Sequence, residues 1–213
     1  MNIKTALKRI PWVMIPVSLQ LLYFFTNRYS TGGYTPDIWL DRYIPVIAWW
    51  SIPYLLTIPY WVIASFWLGF KIDFRLFRVA IISATIMTGL AQLIYLLAPT
   101  YVVRPEIHGE GFDYFWLNWI YTHDDVYNAL PSGHAYVSTL LTILLIRLFP
   151  RQKLAWIGVL AVIVLSALFT HQHYILDLVV GVIYAIACFA LGSWLAKLIW
   201  GENRSISAIS VES

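Results

Sequence analysis

The stretch LVVGVIYAIACFALGSWLAKLIW, Leu178–Trp200, decides the class of fold. It carries a single charge, Lys197, and exceeds the about 20 mostly apolar residues that a transmembrane helix needs. Five similar runs precede it: Ile10–Phe25, Tyr43–Phe70, Val79–Pro99, Ala135–Leu148 and Leu154–Phe169. The second holds Pro45, Pro53 and Pro59, which membrane helices accept where neighbours satisfy the freed carbonyls. This pattern predicts an all-α polytopic membrane protein: one six-helix bundle forming a single domain over 1–213, with a polar tail over about 201–213. FDYFWLNWIY, Phe112–Tyr121, is too short to span. It reads as a short interfacial or re-entrant helix at a lipid entrance, or equally as a helix packed on the bundle.

Composition excludes the alternatives. Of 213 residues, 60% are hydrophobic and 12% charged, and the mean hydropathy is +0.71. Soluble domains run near ~45–50% apolar and ~25% charged. A soluble domain, a disordered chain, a coiled coil and a disulfide scaffold are thereby ruled out, and the lone Cys188 has no internal partner. The net charge of +3 comes from dispersed basic residues, so nucleic acid is not an expected partner; a membrane lipid is. Lys4, Lys8 and Arg9 ahead of an apolar run resemble a signal peptide. Asn27-Arg28-Tyr29 is no small-residue cleavage site, and Pro11 and Pro16 interrupt the run, so a first span is expected instead.

Six spans divide the charges unevenly. Lys4, Lys8, Arg9, Lys71, Arg75, Arg78, Arg147, Arg151, Lys153, Lys197 and Arg204 fall on one side, against Arg28, Arg42 and Arg104 on the other. The positive-inside rule makes the first side cytoplasmic, with both termini there. All five histidines (His108, His123, His134, His171 and His173) and eight of the eleven acids then lie outside, at a plasma or inner membrane or its equivalent. A site on the outer, periplasmic or lumenal face is the expectation.

Three outer segments carry chemistry: Pro99–Pro105, Asn128–His134 and Thr170–Asp177. In the second, Pro131 precedes Ser132-Gly133-His134 at the start of a span. Ser132 is placed as an N-cap with free backbone N–H groups beyond it, an arrangement that binds anions. Gly133 leaves room for a phosphate oxygen, and His134 sits where it can protonate a leaving oxygen. Taken alone, the motif fits a helix start with an interface histidine equally well. In the third segment, His173 and Asp177 stand four apart at the start of a span, a spacing that shares a helix face. A carboxylate on one imidazole nitrogen raises the nucleophilicity of the other. His171-x-His173 could chelate a metal, but no third close ligand is present, so neither metal nor cofactor is expected. Arg104 offers a planar fork for a phosphate, or snorkels to the interface. Asn128 and His171 are possible supporting residues.

Jointly, Arg104 and the Ser132 and Gly133 amides would hold a phosphoryl group, His173 would attack it, Asp177 would orient His173, and His134 would act as acid and then base. The expected activity is transfer of a phosphoryl or phospho-head-group of a lipid to an alcohol through a phosphohistidine. The alternatives are a lipid phosphate phosphatase using water and, in another class, a transporter or proton relay. A relay would need ionisable residues deep in several spans, and the mid-span regions hold essentially none.

Arg104-Pro105, Pro131–His134 and His173/Asp177 together resemble the type 2 phosphatidic acid phosphatase superfamily, over nearly the whole chain. That resemblance implies a six-span enzyme with His173 as nucleophile and His134 as acid. Two positions depart from the common phosphatase pattern: Leu97 stands where a lysine is usual, and Ala167 where an arginine is usual. With Asp41–Pro45, Asp125–Pro131 and Gln172-His173-Tyr174, the chain looks closer to the branch that includes inositol phosphorylceramide synthase and sphingomyelin synthase. A phosphodiester carries less charge than a monoester, which suits a site with fewer cations.

Overall fold

The computed structural model describes residues 8–201. Seven α-helices form in chain order: α1 Ile10–Tyr29, α2 Ser51–Lys71, α3 Phe74–Leu97, α4 Phe112–His123, α5 Gly133–Leu148, α6 Lys153–Phe169 and α7 Ile175–Trp200. Short 3-10 turns lie at Trp39–Tyr43, Ala48–Trp50 and Pro150–Gln152. Among the described residues there is no strand; only the isolated bridges Tyr34–Thr100 and Tyr101–Tyr127 link loops. The predicted tail lies outside the described residues except for Gly201.

Five helices (α1, α2 with its preceding turn, α3, α6 with its preceding turn, and α7) are long and apolar enough to cross a membrane, and α5 is a shorter apolar helix. At 1.5 Å per residue, the 16 residues of α5 cover roughly 24 Å, less than the ~30 Å hydrocarbon core. Large side chains such as Ile63, Phe66, Leu93 and Ile183 face outward, while Ser51, Thr57, Ser83, Ser138 and Ser166 are buried. That distribution suits lipid surroundings, where helices associate through small and hydroxyl residues rather than by hiding apolar ones.

Three helix starts differ from the sequence reading by three residues or more, and those of α5 and α6 by two and one. The second helix begins at Ser51, not Tyr43, because Tyr43 ends one 3-10 turn, Ala48–Trp50 forms another, and the extended link with Pro45 lies between them. Pro53 then falls in the first turn, where its missing N–H removes no helical bond. The third begins at Phe74, five residues earlier than expected, because the Asp73 carboxylate accepts from the Arg75 and Leu76 N–H groups. The last begins at Ile175, with Asp177 in its first turn.

Helix α7 packs on α3 and α5, α3 also on α1, and α5 also on α6. Two glycines of α7 permit the closest approaches. A Cβ on Gly181 would lie 2.8 Å from the Ala135 methyl and 2.9 Å from the Ser132 carbonyl oxygen. A Cβ on Gly192 would run into Ser83 of α3. Gly181 therefore sets the contact that places the start of α5 against the start of α7.

Candidate active site at the helix ends

The three motif segments fasten to one another through the backbone. The Ser132 N–H donates to the Asp177 carbonyl at 3.1 Å, and the Val103 N–H donates to the Tyr174 hydroxyl at 3.0 Å. Leu130 N–H reaches Thr100 Oγ1 at 2.8 Å. Ser132 caps α5, its hydroxyl accepting from the Ala135 N–H at 3.3 Å. His134 occupies the first turn of that helix, and only the Tyr136 phenol would come within 4 Å of a Cβ on Gly133, so packing does not require glycine there.

His173 lies in the turn between α6 and α7. Its N–H and that of Gln172 donate to the Ala167 carbonyl at 3.2 and 3.0 Å, which folds the turn back onto α6. His173 precedes the N-cap, Tyr174, so it and Asp177 do not share a helix face as their spacing suggested. They meet because the Asp177 carboxylate reaches back to accept the Tyr174 N–H at 2.9 Å, the reach-back of a helix-start cap. From there Asp177 Oδ2 lies 3.4 Å from His173 Nδ1. His173 Nε2 in turn faces His134 Nδ1 at 3.4 Å. The result is a buried line, Asp177–His173–His134, with ring centroids of the two histidines 5.5 Å apart.

His134 is held between aromatic rings, Tyr54 at 4.4 Å and Trp61 at 5.4 Å between centroids. Trp61 is anchored by its indole N–H on Ser138 Oγ at 2.9 Å. The Tyr54 hydroxyl donates to Asp124 Oδ2 at 2.8 Å, and Asn27 Nδ2 donates to Asp124 Oδ1 at 3.0 Å. Burial pushes the Asp124 carboxyl up, opposed by the Tyr54 hydrogen bond and the charge of Arg104.

Arg104 belongs to the same assembly but uses its fork within the protein. One terminal nitrogen donates to the carbonyls of Tyr121 and Asp124, the other to the Asp125 carbonyl and Gln172 Oε1. Its guanidinium lies over the Tyr121 ring, and its Nε–H alone has no partner. The bidentate phosphate grip expected of Arg104 is thus occupied by the loops it clasps. Asn128 donates to the Tyr23 carbonyl and Thr26 Oγ1, fastening its loop to α1. His171 bonds the Ile44 carbonyl at 3.0 Å, and burial lowers its pKa. Neither supporting candidate makes a side-chain bond to the histidine pair. His123 stacks on Trp119, and His108 is exposed beside Glu106. Among the described residues no cluster of three His, Cys, Asp or Glu side chains suits a metal.

Sequence reading missed Tyr54, Trp61 and Asp124, which lie in or beside apolar runs with no motif of their own, and gave Gln172, inside the third segment, no role of its own. It singled out Asp41 only as part of a segment. Asp41 Oδ1 accepts the Ile175 N–H at 2.9 Å, so this acid caps α7 from another loop and stabilises the turn that carries His173. The two departures also separate: Leu97 is 83% exposed at the end of α3, whereas Ala167 is buried with Tyr54, Ile120, Ala135 and Leu178.

Fold and site together define a helical membrane protein with a buried, histidine-centred polar site at one end of its bundle. Residues 74–200, from the first residue of α3 to the last of α7, match the model described as the PAP2 superfamily, and the chain belongs to that superfamily. Membership supports an enzyme of the phosphatase or phosphotransferase type acting on lipids. No curated protein and no solved structure matches the chain.

Proposed function

We propose that the protein transfers a phosphoryl or phospho-head-group from a membrane lipid to an alcohol through His173. The observation that carries this reading is the Asp177–His173–His134 line at the N-terminus of α5. Asp177 Oδ2 stands 3.4 Å from His173 Nδ1, which has no hydrogen-bond partner; closing that gap fixes the tautomer with the proton on Nδ1 and leaves Nε2 as the nucleophile. Nε2 attacks phosphorus, the P–O bond to the leaving alcohol breaks, and His134 gives that oxygen its proton. His134 then removes the proton of the acceptor hydroxyl, whose oxygen displaces Nε2 and restores His173. The facing nitrogens are 3.4 Å apart, so a phosphoryl on Nε2 requires the pair to open. The Ser132 N–H expected to hold phosphate is engaged by the Asp177 carbonyl and the Ala135 N–H by the Ser132 hydroxyl, so stabilisation of phosphoryl charge falls to the Gly133 and His134 N–H groups, with Gly133 giving access and Ser132 holding the helix start. No step calls on a metal or a cofactor.

The missing cations at Leu97 and Ala167, and a fork at Arg104 already engaged by carbonyls, favour a phosphodiester donor and the synthase-like branch over a phosphomonoesterase. The bundle would lie in the membrane as one domain of six spans with α4 at the outer interface; exposed Phe112, Phe115 and Trp119 support that position for α4. Both termini would be cytoplasmic and the histidine pair at the outer leaflet, as the basic asymmetry requires. The test is purified protein incubated with labelled phospholipids, with and without alcohol acceptors, followed for new lipid, free phosphate and acid-labile phosphoenzyme. New lipid that depends on the alcohol is expected. Free phosphate, or a free phospho-head-group where the donor is a diester, as the sole product would instead make water the acceptor, and absence of every one of these products would overturn the reading.

A further inference from the structure

Asp124 is a carboxylate near the histidine pair to which the proposed reaction assigns no task. It closes α4, and both its oxygens accept from neutral donors, Tyr54 and Asn27. No ion pair contains it among the described residues, whereas neighbouring Asp125 pairs with Arg28 and Asp177 with His173. Arg104 lies close enough to act on it electrostatically, but bonds the Asp124 backbone carbonyl rather than the carboxylate. The phenol that binds Asp124 is the one whose ring lies 4.4 Å from the His134 ring, centroid to centroid. A carboxylate without a counter-ion therefore stands one side chain away from the phosphoryl-transfer pair, in a site whose arginine has its fork engaged elsewhere.

We infer that Asp124 is a specificity-determining residue that admits singly charged phosphodiesters and disfavours doubly charged phosphomonoesters. The inference rests on the reading of His173 and His134 as a phosphoryl-transfer pair. A phosphomonoester takes on its second charge with a pKa near ~6, so at neutral pH it meets the carboxylate as a dianion, whereas a diester stays a monoanion. In a partly screened site the extra charge is repelled strongly enough to matter at distances of several ångströms. The Tyr54 and Asn27 bonds hold the carboxylate in place and favour its ionised form against the burial that pushes it up.

The test compares one aryl leaving group in two esters, an aryl phosphate and an aryl methyl phosphate, in the same detergent micelles. Asp124→Asn is isosteric and retains hydrogen-bond partners for Tyr54 and Asn27. It is expected to raise the monoester-to-diester ratio of kcat/KM roughly tenfold or more, the effect of removing one nearby charge. Asp124→Glu, which keeps the charge, is expected to hold the ratio near the parent value, as is Tyr54→Phe, which removes only the phenol bond. Asp124→Ser provides the uncharged comparison if the Asn variant does not accumulate. An unchanged ratio in the uncharged variants, or an equal rise in Tyr54→Phe, overturns the inference. Parent protein that cleaves neither ester and forms no phosphoenzyme overturns the phosphoryl-transfer reading instead.

Discussion

Helices α5 and α6 are 16 and 17 residues long, follow one another directly, and meet opposite fates. In α5, GHAYVSTLLTILLIRL, eleven residues are buried; in α6, KLAWIGVLAVIVLSALF, three are. The more polar helix is the inner one. Ser138, Thr139 and Thr142 of α5 are all buried, while Leu154, Ile157, Val162 and Leu165 of α6 face outward. A water-soluble bundle would reverse this, because its driving force is removal of apolar surface from water. In a bilayer the lipid tails are as apolar as leucine, so packing shape and hydroxyl partners choose the inner helix. The inner position is also what a site needs: α5 brings Ser132, Gly133 and His134 to the centre, and α6 supplies the Ala167 carbonyl that holds the His173 turn.

The largest expected effect strikes the pair that α5 and this turn bring together. His173→Ala should abolish turnover and the acid-labile phosphoenzyme alike, while gel-filtration behaviour in detergent stays that of the parent. Any phosphoenzyme left in that variant would move the nucleophile elsewhere.

His134→Ala should reduce turnover of alkyl-linked lipid substrates by about 10²–10⁴-fold, the usual contribution of a general acid. An activated aryl ester, whose leaving group scarcely needs a proton, should lose less. Equal losses on the two substrate types would show that His134 does not protonate the leaving group.

Gly181→Val sharpens the link between packing and site. The added side chain meets Ala135 and the Ser132 carbonyl, so α5 must move away from α7. Overpacking of this kind costs about 1–3 kcal/mol, and activity should fall further than the midpoint of thermal unfolding implies. Gly192→Val meets Ser83 on α3 instead. It should lower thermal stability comparably while leaving the diester kcat/KM of the folded fraction near the parent value.

The smallest effects test the α5–α6 contrast directly. Leu141→Ala, at a position 5% exposed in α5, should cost about 2–5 kcal/mol through the cavity it leaves. Leu154→Ala, at a position 76% exposed in α6, should stay within about 0.5 kcal/mol. Unfolding in mixed micelles reads both, and similar losses would mean that α6 is covered by something other than lipid.

Read from the chain alone, apolar run length predicts every long helix, and Pro131-Ser132-Gly133-His134 predicts a capped start that the structure reproduces at Ser132. Those features are local: a run of apolar side chains and a hydroxyl before a helix act over a few residues. The helix starts at Ser51, Phe74 and Ile175 were less legible because each depends on a competing turn or a capping carboxylate. Asp177 illustrates the division within one residue. Its spacing from His173 was visible, but the contact arises from a carboxylate folding back across a helix cap rather than from a shared face.

By itself, then, the order of residues determined an all-helical chain of membrane character and named the residues to which the proposed function gives the phosphoryl transfer. The tertiary structure decided which of them face one another. It turned His134 toward His173, spent the fork of Arg104 on four acceptors in α4 and the loops, drew Asn128 and His171 into structural bonds, and brought Tyr54 and Asp124 from separate segments to the same site. The physical reason is that a side chain's type is written in the sequence, whereas its partners, often a hundred residues away, are chosen by which helices approach closely, and here that choice was set at Gly181 and Gly192.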